Sequence, residues 1–347
     1  MISSFTGWSY RMFLPYGPIM KITALLLTTC FGVMFAQSPD ALPVPGFHHL
    51  HINSPNPEAA IDYYTKQFTS ASKATFDGKP AIKTGKIWLL INKVNTAPAL
   101  SPQTAVWHWG WNVPDERAYI AHYNEMKTKI LPLWTGDGDG SVQINSDSWP
   151  GAGGTLGRNK EQIEEAKAQG IRPAGGAGFA YLAGPDGAMI EVAGNYPGVP
   201  ERFNHVHMFQ DDPQCAVLWY QRHLNVAPRP GRGGGAPPTE ATCKQPHGPP
   251  TWPSLEKGGM YRAPQGGVSF DDISMNWYVR PGDAPLVSTR GHLADHIALS
   301  VGNLDAWYAK LKGEGVKVLM EPYKLDSTRA FMVEGPSREA LELVEVK

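Results

Sequence analysis

A repeat constrains this sequence more than any other feature. His49-Leu50-His51-Ile52 runs into Asn56-Pro57-Glu58-Ala59-Ala60-Ile61-Asp62-Tyr63-Tyr64. At the same offset, His205-Val206-His207-Met208 runs into Asp212-Pro213-Gln214-Cys215-Ala216-Val217-Leu218-Trp219-Tyr220. The alternating His-x-His suits a strand. Asn or Asp before Pro suits a helix cap and first turn. His108-Trp109-Gly110-Trp111-Asn112-Val113 and His296-Ile297-Ala298-Leu299-Ser300-Val301 open two further units, each leading into a helix, one through about Lys129 and one ending near Gly313. Four strand-to-helix units that each open on a histidine predict one module repeated four times.

A second motif closes each half. Gly184-Pro185-Asp186-Gly187-Ala188-Met189-Ile190-Glu191 and Gly335-Pro336-Ser337-Arg338-Glu339-Ala340-Leu341-Glu342 share one spacing, a turn feeding a strand. Glu191 and Glu342 sit among apolar strand residues, where an unpaired carboxylate is costly. Further strands are expected at Lys86–Val94, Phe179–Ala183, Ser269–Val279 and Arg329–Val333. Gly/Pro-rich segments at about 136–178 and 228–267 interrupt the pattern, the first with a short helix at Lys160–Gln169. Loops of that length inside a compact domain are usually functional, and both are expected to cover the sites. Asp137-Gly138-Asp139-Gly140 hints at calcium, but the rest of such a loop is missing and it reads as a turn.

The chain has 347 residues, a length that suits two domains. Hydrophobic residues make up 42% and the net charge is −1, so it can build cores and lacks the concentrated basic charge that nucleic acid demands. Met20-Lys21, the apolar run Ile22–Ala36 and polar Gln37-Ser38 read as an export signal occupying residues 1–36. The run is short for a membrane span. Cys30 lies in a poor version of a lipoprotein cleavage box. Cleavage near Ala36 leaves Cys215 and Cys243, either as one disulfide in an oxidising compartment or as two thiols. The mature chain is thus expected to be periplasmic or extracellular.

These residues carry a resemblance. A strand histidine, an Asn/Asp-capped helix and a later Gly-Pro-Asp-Gly-x-x-Ile-Glu are similar to the modules of the vicinal-oxygen-chelate superfamily, which includes glyoxalases, bleomycin-resistance proteins and extradiol dioxygenases. The likeness runs from Phe47 to Val346. It implies an α+β fold of tandem βαβββ modules, four of them paired into two cupped mixed sheets. Taken in chain order, residues 42–198 would form the first domain and 199–347 the second. The resemblance then gives His49, His108 and Glu191 as one metal set, and His205, His296 and Glu342 as the other. His51 and His207, two places beyond a ligand on the same strand face, are candidate acid/base groups or alternative ligands, and Tyr181 is a third catalytic candidate. His48 should point the opposite way. Trp107, Trp109 and Trp111 should pack in the core, and His122, His223 and His247 should be ordinary surface or loop residues.

Two imidazoles and one carboxylate leave coordination positions open, as at a non-haem Fe(II) site. Mn(II), Zn(II) or Ni(II) could use the same donors. Neither Lys86–Ile91 nor Ile273–Tyr278 carries the fourth, carboxylate ligand of glyoxalase-type sites, which favours a dioxygenase-like enzyme. The extradiol signature is partly present: Tyr181, Gly184, Pro185, Gly187 and Glu191 fit, but Met332 stands in the second half where Tyr181 stands in the first. A glyoxalase-type lyase or isomerase and a non-enzymatic small-molecule binder are the alternatives. The expected partner is a small-molecule substrate, with a homodimer left open.

Overall fold

The structure is a computed structural model that describes residues 42–134, 179–194, 198–229, 237–248, 250–252, 260–261, 263–325 and 327–347, with isolated positions at 165, 168 and 169. The expected export signal, the turn expected at Asp137–Gly140 and most of the 136–178 segment, with the helix expected in it, lie outside the described residues.

Each module begins as the repeat predicts. The first comprises β1 (Gly46–Ser54), α1 (Pro57–Gln67), β2 (Ala71–Phe76), β3 (Lys79–Thr84) and β4 (Ile87–Lys93). The second has β5 (Val106–Asn112), α2 (Glu116–Glu125), β6 (Phe179–Ala183) and β7 (Met189–Ala193). The third has β8 (Arg202–Gln210), α3 (Pro213–Leu224), a small ribbon of β9 (Pro250–Trp252) and β10 (Met260–Tyr261), then β11 (Gln265–Phe270) and β12 (Ile273–Val279). The fourth has β13 (Ala294–Val301), α4 (Leu304–Gly313), β14 (Val318–Leu325), β15 (Thr328–Glu334) and β16 (Ala340–Glu345). Asn56 and Asn303 cap their helices by accepting the amides of Ala59 and Ala306. In the second and third modules, single bridges, Ile130 to Leu182 and Pro228 to Val268, stand where a third strand was expected after the helix.

The modules do not pair in chain order. One sheet runs β14-β15-β16-β13-β1-β4-β3-β2 and the other β11-β12-β8-β5-β7-β6. The first module therefore joins the fourth through antiparallel β1 and β13, and the second joins the third through β5 and β8. This corrects the expected division at 198/199 as far as the sheets are concerned. The connections show how the exchange is made. The Pro-rich stretch after β4 carries the chain from one sheet to the other, and the stretch after β12 returns beside it. Val287 donates to the Gln103 carbonyl at 3.0 Å, and Thr104 bridges Val287 in parallel.

The helix layer keeps sequence neighbours together. Phe68, just past α1, stacks on Trp111 of β5 with ring centroids 3.9 Å apart, and Tyr63 Oη donates to the Ala183 carbonyl at 3.1 Å. Trp109, Trp111, Trp277 and Trp307 are all fully buried, each contributing about 1.5–3 kcal/mol or more of apolar burial. His223 is buried too, against expectation, and its Nδ1 meets Glu314 at 2.8 Å, tying α3 to the end of α4. Cys215 and Cys243 form a disulfide. With the Arg222–Glu240 ion pair and the 3.1 Å contact of His247 with the Asp211 carbonyl, it fastens residues 237–248 to α3 and its cap. The described part of the expected second cover is thus anchored on the helix layer.

Tyr220 Oη of α3 donates at 2.8 Å to Glu339, whose other oxygen accepts the Ser337 amide at 2.7 Å. Burial outweighs these bonds and pushes the Glu339 carboxyl from 4.5 up to about 7. Below pH 4.5 both states hold the proton. Between 4.5 and about 7 the folded chain keeps a proton that the unfolded chain releases, so stability declines as pH rises across that window and levels off above it. Glu339→Gln should lack that decline. Denaturant titrations at several pH values should show the stability difference between the two proteins changing across the window. A pH-independent difference would refute the buried protonated carboxyl.

Candidate metal centres

Register builds each site. His49 lies opposite Ala298 of β13, and Ala298 lies opposite Glu342 of β16. His205 lies opposite Gly110 of β5, and Gly110 lies opposite Glu191 of β7. In each row a small residue separates an imidazole from a carboxylate, so the two lean together above it. Gly110 is required there: a Cβ would come within 2.5 Å of the Glu191 carbonyl and 2.6 Å of the His205 ring. The second histidine of each set, His296 or His108, completes the group from the middle strand, beside His51 or His207 on the facing strand.

The structure therefore regroups the predicted ligands. His49 joins His296 and Glu342 with His51. His205 joins His108 and Glu191 with His207. The sets His49–His108–Glu191 and His205–His296–Glu342 do not form, because the histidine strands pair across the halves.

A β-bulge precedes each of the four candidate ligand histidines. The extra residues are His48, Trp107, Asn204 and Asp295, read from register shifts in the two central pairs. A bulge turns its extra side chain out of strict alternation. His48 consequently faces its neighbour, against expectation, with Nδ1 2.7 Å from His49 Nδ1. Asn204 Oδ1 lies 2.8 Å from His205 Nδ1, and Asp295 Oδ1 lies 2.7 Å from His296 Nδ1. Each contact takes the outer nitrogen and leaves Nε2 aimed inward, the orientation that metal-binding histidines require. Trp107 departs from the expected core position. Its half-buried ring lies 4.2 Å from that of His108 and stacks at 6.4 Å on His207, lining the cup.

In the outer-module cup, His49 Nε2 is 3.3 Å and His296 Nε2 3.7 Å from Glu342 Oε2. All three atoms are buried and have no hydrogen-bond partner among the described residues. Each such group costs about 1–3 kcal/mol. Glu342 Oε1 accepts the Tyr323 phenol. In the inner-module cup, His108 Nε2 is 2.8 Å from Glu191 Oε2, while His205 Nε2 and His207 Nδ1 are each 3.7 Å away. Tyr181 interacts with Glu191 as Tyr323 does with Glu342. The phenol that Met332 denies the second half thus comes from the neighbouring strand, β14.

Electrostatics separate the cups. Burial and the neighbouring His296 hold His49 well below the usual imidazole range. Burial lowers His108 and brings His205 to about 4 and His51 to about 3. Burial opposes charge at His296 as well, but Asp295 and Glu342 outweigh it and raise the imidazole. Asp295 is held down at about 2 despite its burial by His296, the Gly291 amide and Arg290. Glu342 is lowered by His296, whereas Glu191 is raised by burial. The donor chemistry suits a divalent cation in both cups: imidazole nitrogens, a carboxylate oxygen, and buried polar atoms without a hydrogen bond among the described residues.

Sequence reasoning missed Asp295, Asn204, Gly110 and Tyr323. The first two left a trace, since a polar residue just before each ligand histidine falls where strict alternation would bury it.

Residues 202–343 match the model of the Glyoxalase/Bleomycin resistance protein/Dioxygenase superfamily. Glyoxalase I from Zea mays has a similar fold, with a TM-score of 0.56 and 13% identity over 87% of this chain and 92% of that one. A proposed dioxygenase from Bacillus subtilis has a TM-score of 0.50 and 10% identity over 88% of this chain and 86% of that one. No curated protein sequence matches the chain. Residues 202–343 carry the family match, and the chain as a whole has a glyoxalase-like fold of two cupped mixed sheets.

Proposed function

We propose that the protein is an exported, metal-dependent enzyme that chelates neighbouring oxygens of a small organic substrate, and that its chemistry is dioxygenase-like with Fe(II). One observation carries the reading: His49 Nε2, His296 Nε2 and Glu342 Oε2 are buried, have no hydrogen-bond partner among the described residues, and lie together. The metal, when bound, polarises the substrate oxygens, lowers their pKa and, as Fe(II), activates O₂. His48 and Asp295 fix the two imidazoles, and Tyr323 holds the far oxygen of Glu342. His108, His205 and Glu191 do the same work in the other cup, where Asn204 fixes His205 and the Trp107 ring packs beside His108 and His207. The strand beside each first histidine offers Trp88 and Leu90 in one cup and Ser274 and Asn276 in the other, none of them a carboxylate. A glyoxalase-type reaction needs such a group to move the proton. The Cys215–Cys243 disulfide supports an oxidising compartment.

Protein purified anaerobically should carry iron and consume O₂ with vicinal dihydroxy compounds. Bound metal without O₂ uptake would point to a lyase or isomerase. Metal-free protein that still binds such compounds would make it a sequestering protein.

Paired substitutions test the regrouped ligands. His49→Ala with His296→Ala should empty one cup and leave the other loaded, whereas His49→Ala with His108→Ala should empty both. Ligands grouped in chain order would give the reverse result in elemental analysis. Asp295→Asn should weaken its cup by the roughly 10–100-fold that loss of an orienting partner costs, measured by competition with a chelator. An unchanged affinity would remove Asp295 from the site.

A further inference from the structure

The residue two places after each first histidine meets a different neighbour in the two cups. His207 on β8 lies opposite Asn276 of β12, and Asn276 lies opposite Gly267 of β11. His51 on β1 lies opposite Leu90 of β4, and Leu90 lies opposite Ala81 of β3. Asn276 Nδ2 is 3.0 Å from His207 Nε2, and Asn276 Oδ1 accepts from Arg229 Nη1 at 2.9 Å.

Those contacts fix the direction of every bond in the chain. A guanidinium can only donate, so the Asn276 oxygen must face Arg229 and its NH₂ must face His207. His207 Nε2 is therefore the acceptor, and the neutral ring carries its proton on Nδ1. That nitrogen is the one 3.7 Å from Glu191 Oε2. The arrangement is built in. A Cβ on residue 267 would come within 2.2 Å of Asn276 Oδ1, so Gly267 makes the room, and its carbonyl accepts the Arg229 amide at 2.8 Å. The other cup has a methyl and an isobutyl group at the matching positions. Among the described residues no hydrogen bond engages the His51 ring, which lies 4.4 Å from that of His296 and offers a nitrogen within 4.8 Å of donor atoms of His49 and His296.

We propose that the two cups are specialised at this position: His207 is held as a fixed N–H donor for an acceptor oxygen of the substrate, whereas His51 is a fourth metal ligand. The inference rests on the metal reading of the cups and deepens it. An N–H cannot coordinate a cation, but beside one it can bind an oxygen that the cation has made anionic. The inner-module cup then holds metal through three protein ligands and recognises a substrate with a third acceptor oxygen next to its chelating pair. The outer-module cup holds metal through four and has one position fewer for substrate. Asn276 and Arg229 are positioning residues, acting through His207.

Two readouts that do not need activity test this. Long-range ¹H–¹⁵N correlation on metal-free, full-length protein reports the tautomer directly, with the His207 signals assigned by their loss in His207→Gln. The Nδ1–H form is expected, and Asn276→Leu should abolish that preference. Zn²⁺ competition titrations then compare the cups one at a time. With the outer cup emptied by His49→Ala together with His296→Ala, adding His207→Ala should change affinity by less than about 10-fold. With the inner cup emptied by His108→Ala, adding His51→Ala should weaken it by about 10-fold or more. An Nε2–H tautomer of His207, or equal losses in the two titrations, would overturn the proposal. Failure of the wild-type protein to bind Zn²⁺ would overturn the metal reading and the His51 assignment, while the tautomer would still judge the donor role of His207.

Discussion

Two antiparallel strand pairs, β1 with β13 and β5 with β8, carry everything else in this molecule. Each brings together two histidine-bearing strands from different modules. Each also brings a closing strand alongside, so that a glutamate lies one row across from a first histidine. Shift either pair by one residue and the imidazoles would turn into the helix layer. The bulges add a second constraint. They place one more side chain on the cup face than strict alternation allows, and in three of the four strands that side chain meets the outer nitrogen of a candidate ligand histidine. Backbone irregularity here sets the donor direction of an imidazole.

The cups answer the cost of burying polar atoms differently. In the outer-module cup, Asp295 and Arg290 surround His296, and the imidazole and Glu342 lean toward an ion pair. A proton there holds part of the charge that a cation would hold. In the inner-module cup, Glu191 is pushed toward its neutral form and burial holds His108 and His205 toward theirs, so the site is closer to an uncharged polar cluster. The two sets have the same residue types and reach different electrostatic states through residues outside the sets.

The modules, the capped helices, both closing turns and the six histidines and glutamates that gather in the cups were legible because each depends on local pattern: alternation, an Asn or Asp before a helix, a Gly-Pro turn. The pairing of modules was not, because the histidine edges of β1, β5, β8 and β13 look alike and nothing local says which should meet. Trp107 and His48 were misplaced for one reason, a bulge that alternation cannot register. Tyr323 lies on a strand with little apolar periodicity, and its role follows only from the neighbouring strand holding Glu342. Asn276 and Leu90 differ plainly in sequence, but their meaning needed the register that sets them beside His207 and His51.

The exchanged pairing nests one sheet inside the other along the chain. The strands of the inner sheet lie between β5 and β12, and the outer sheet is completed only by β13 to β16. A chain emerging from N- to C-terminus therefore has every donor of the inner cup once β8 has formed, while His49 waits for the last residues before its partners exist. Closing the longer loop costs only slightly more entropy, since that cost grows with the logarithm of length, so the order is set by synthesis and topology more than by energy. Neither half of the chain, cut at the midpoint, would own a complete set of donors. The molecule is a duplication that can no longer be divided, and any truncation from the C-terminus strips the outer cup first.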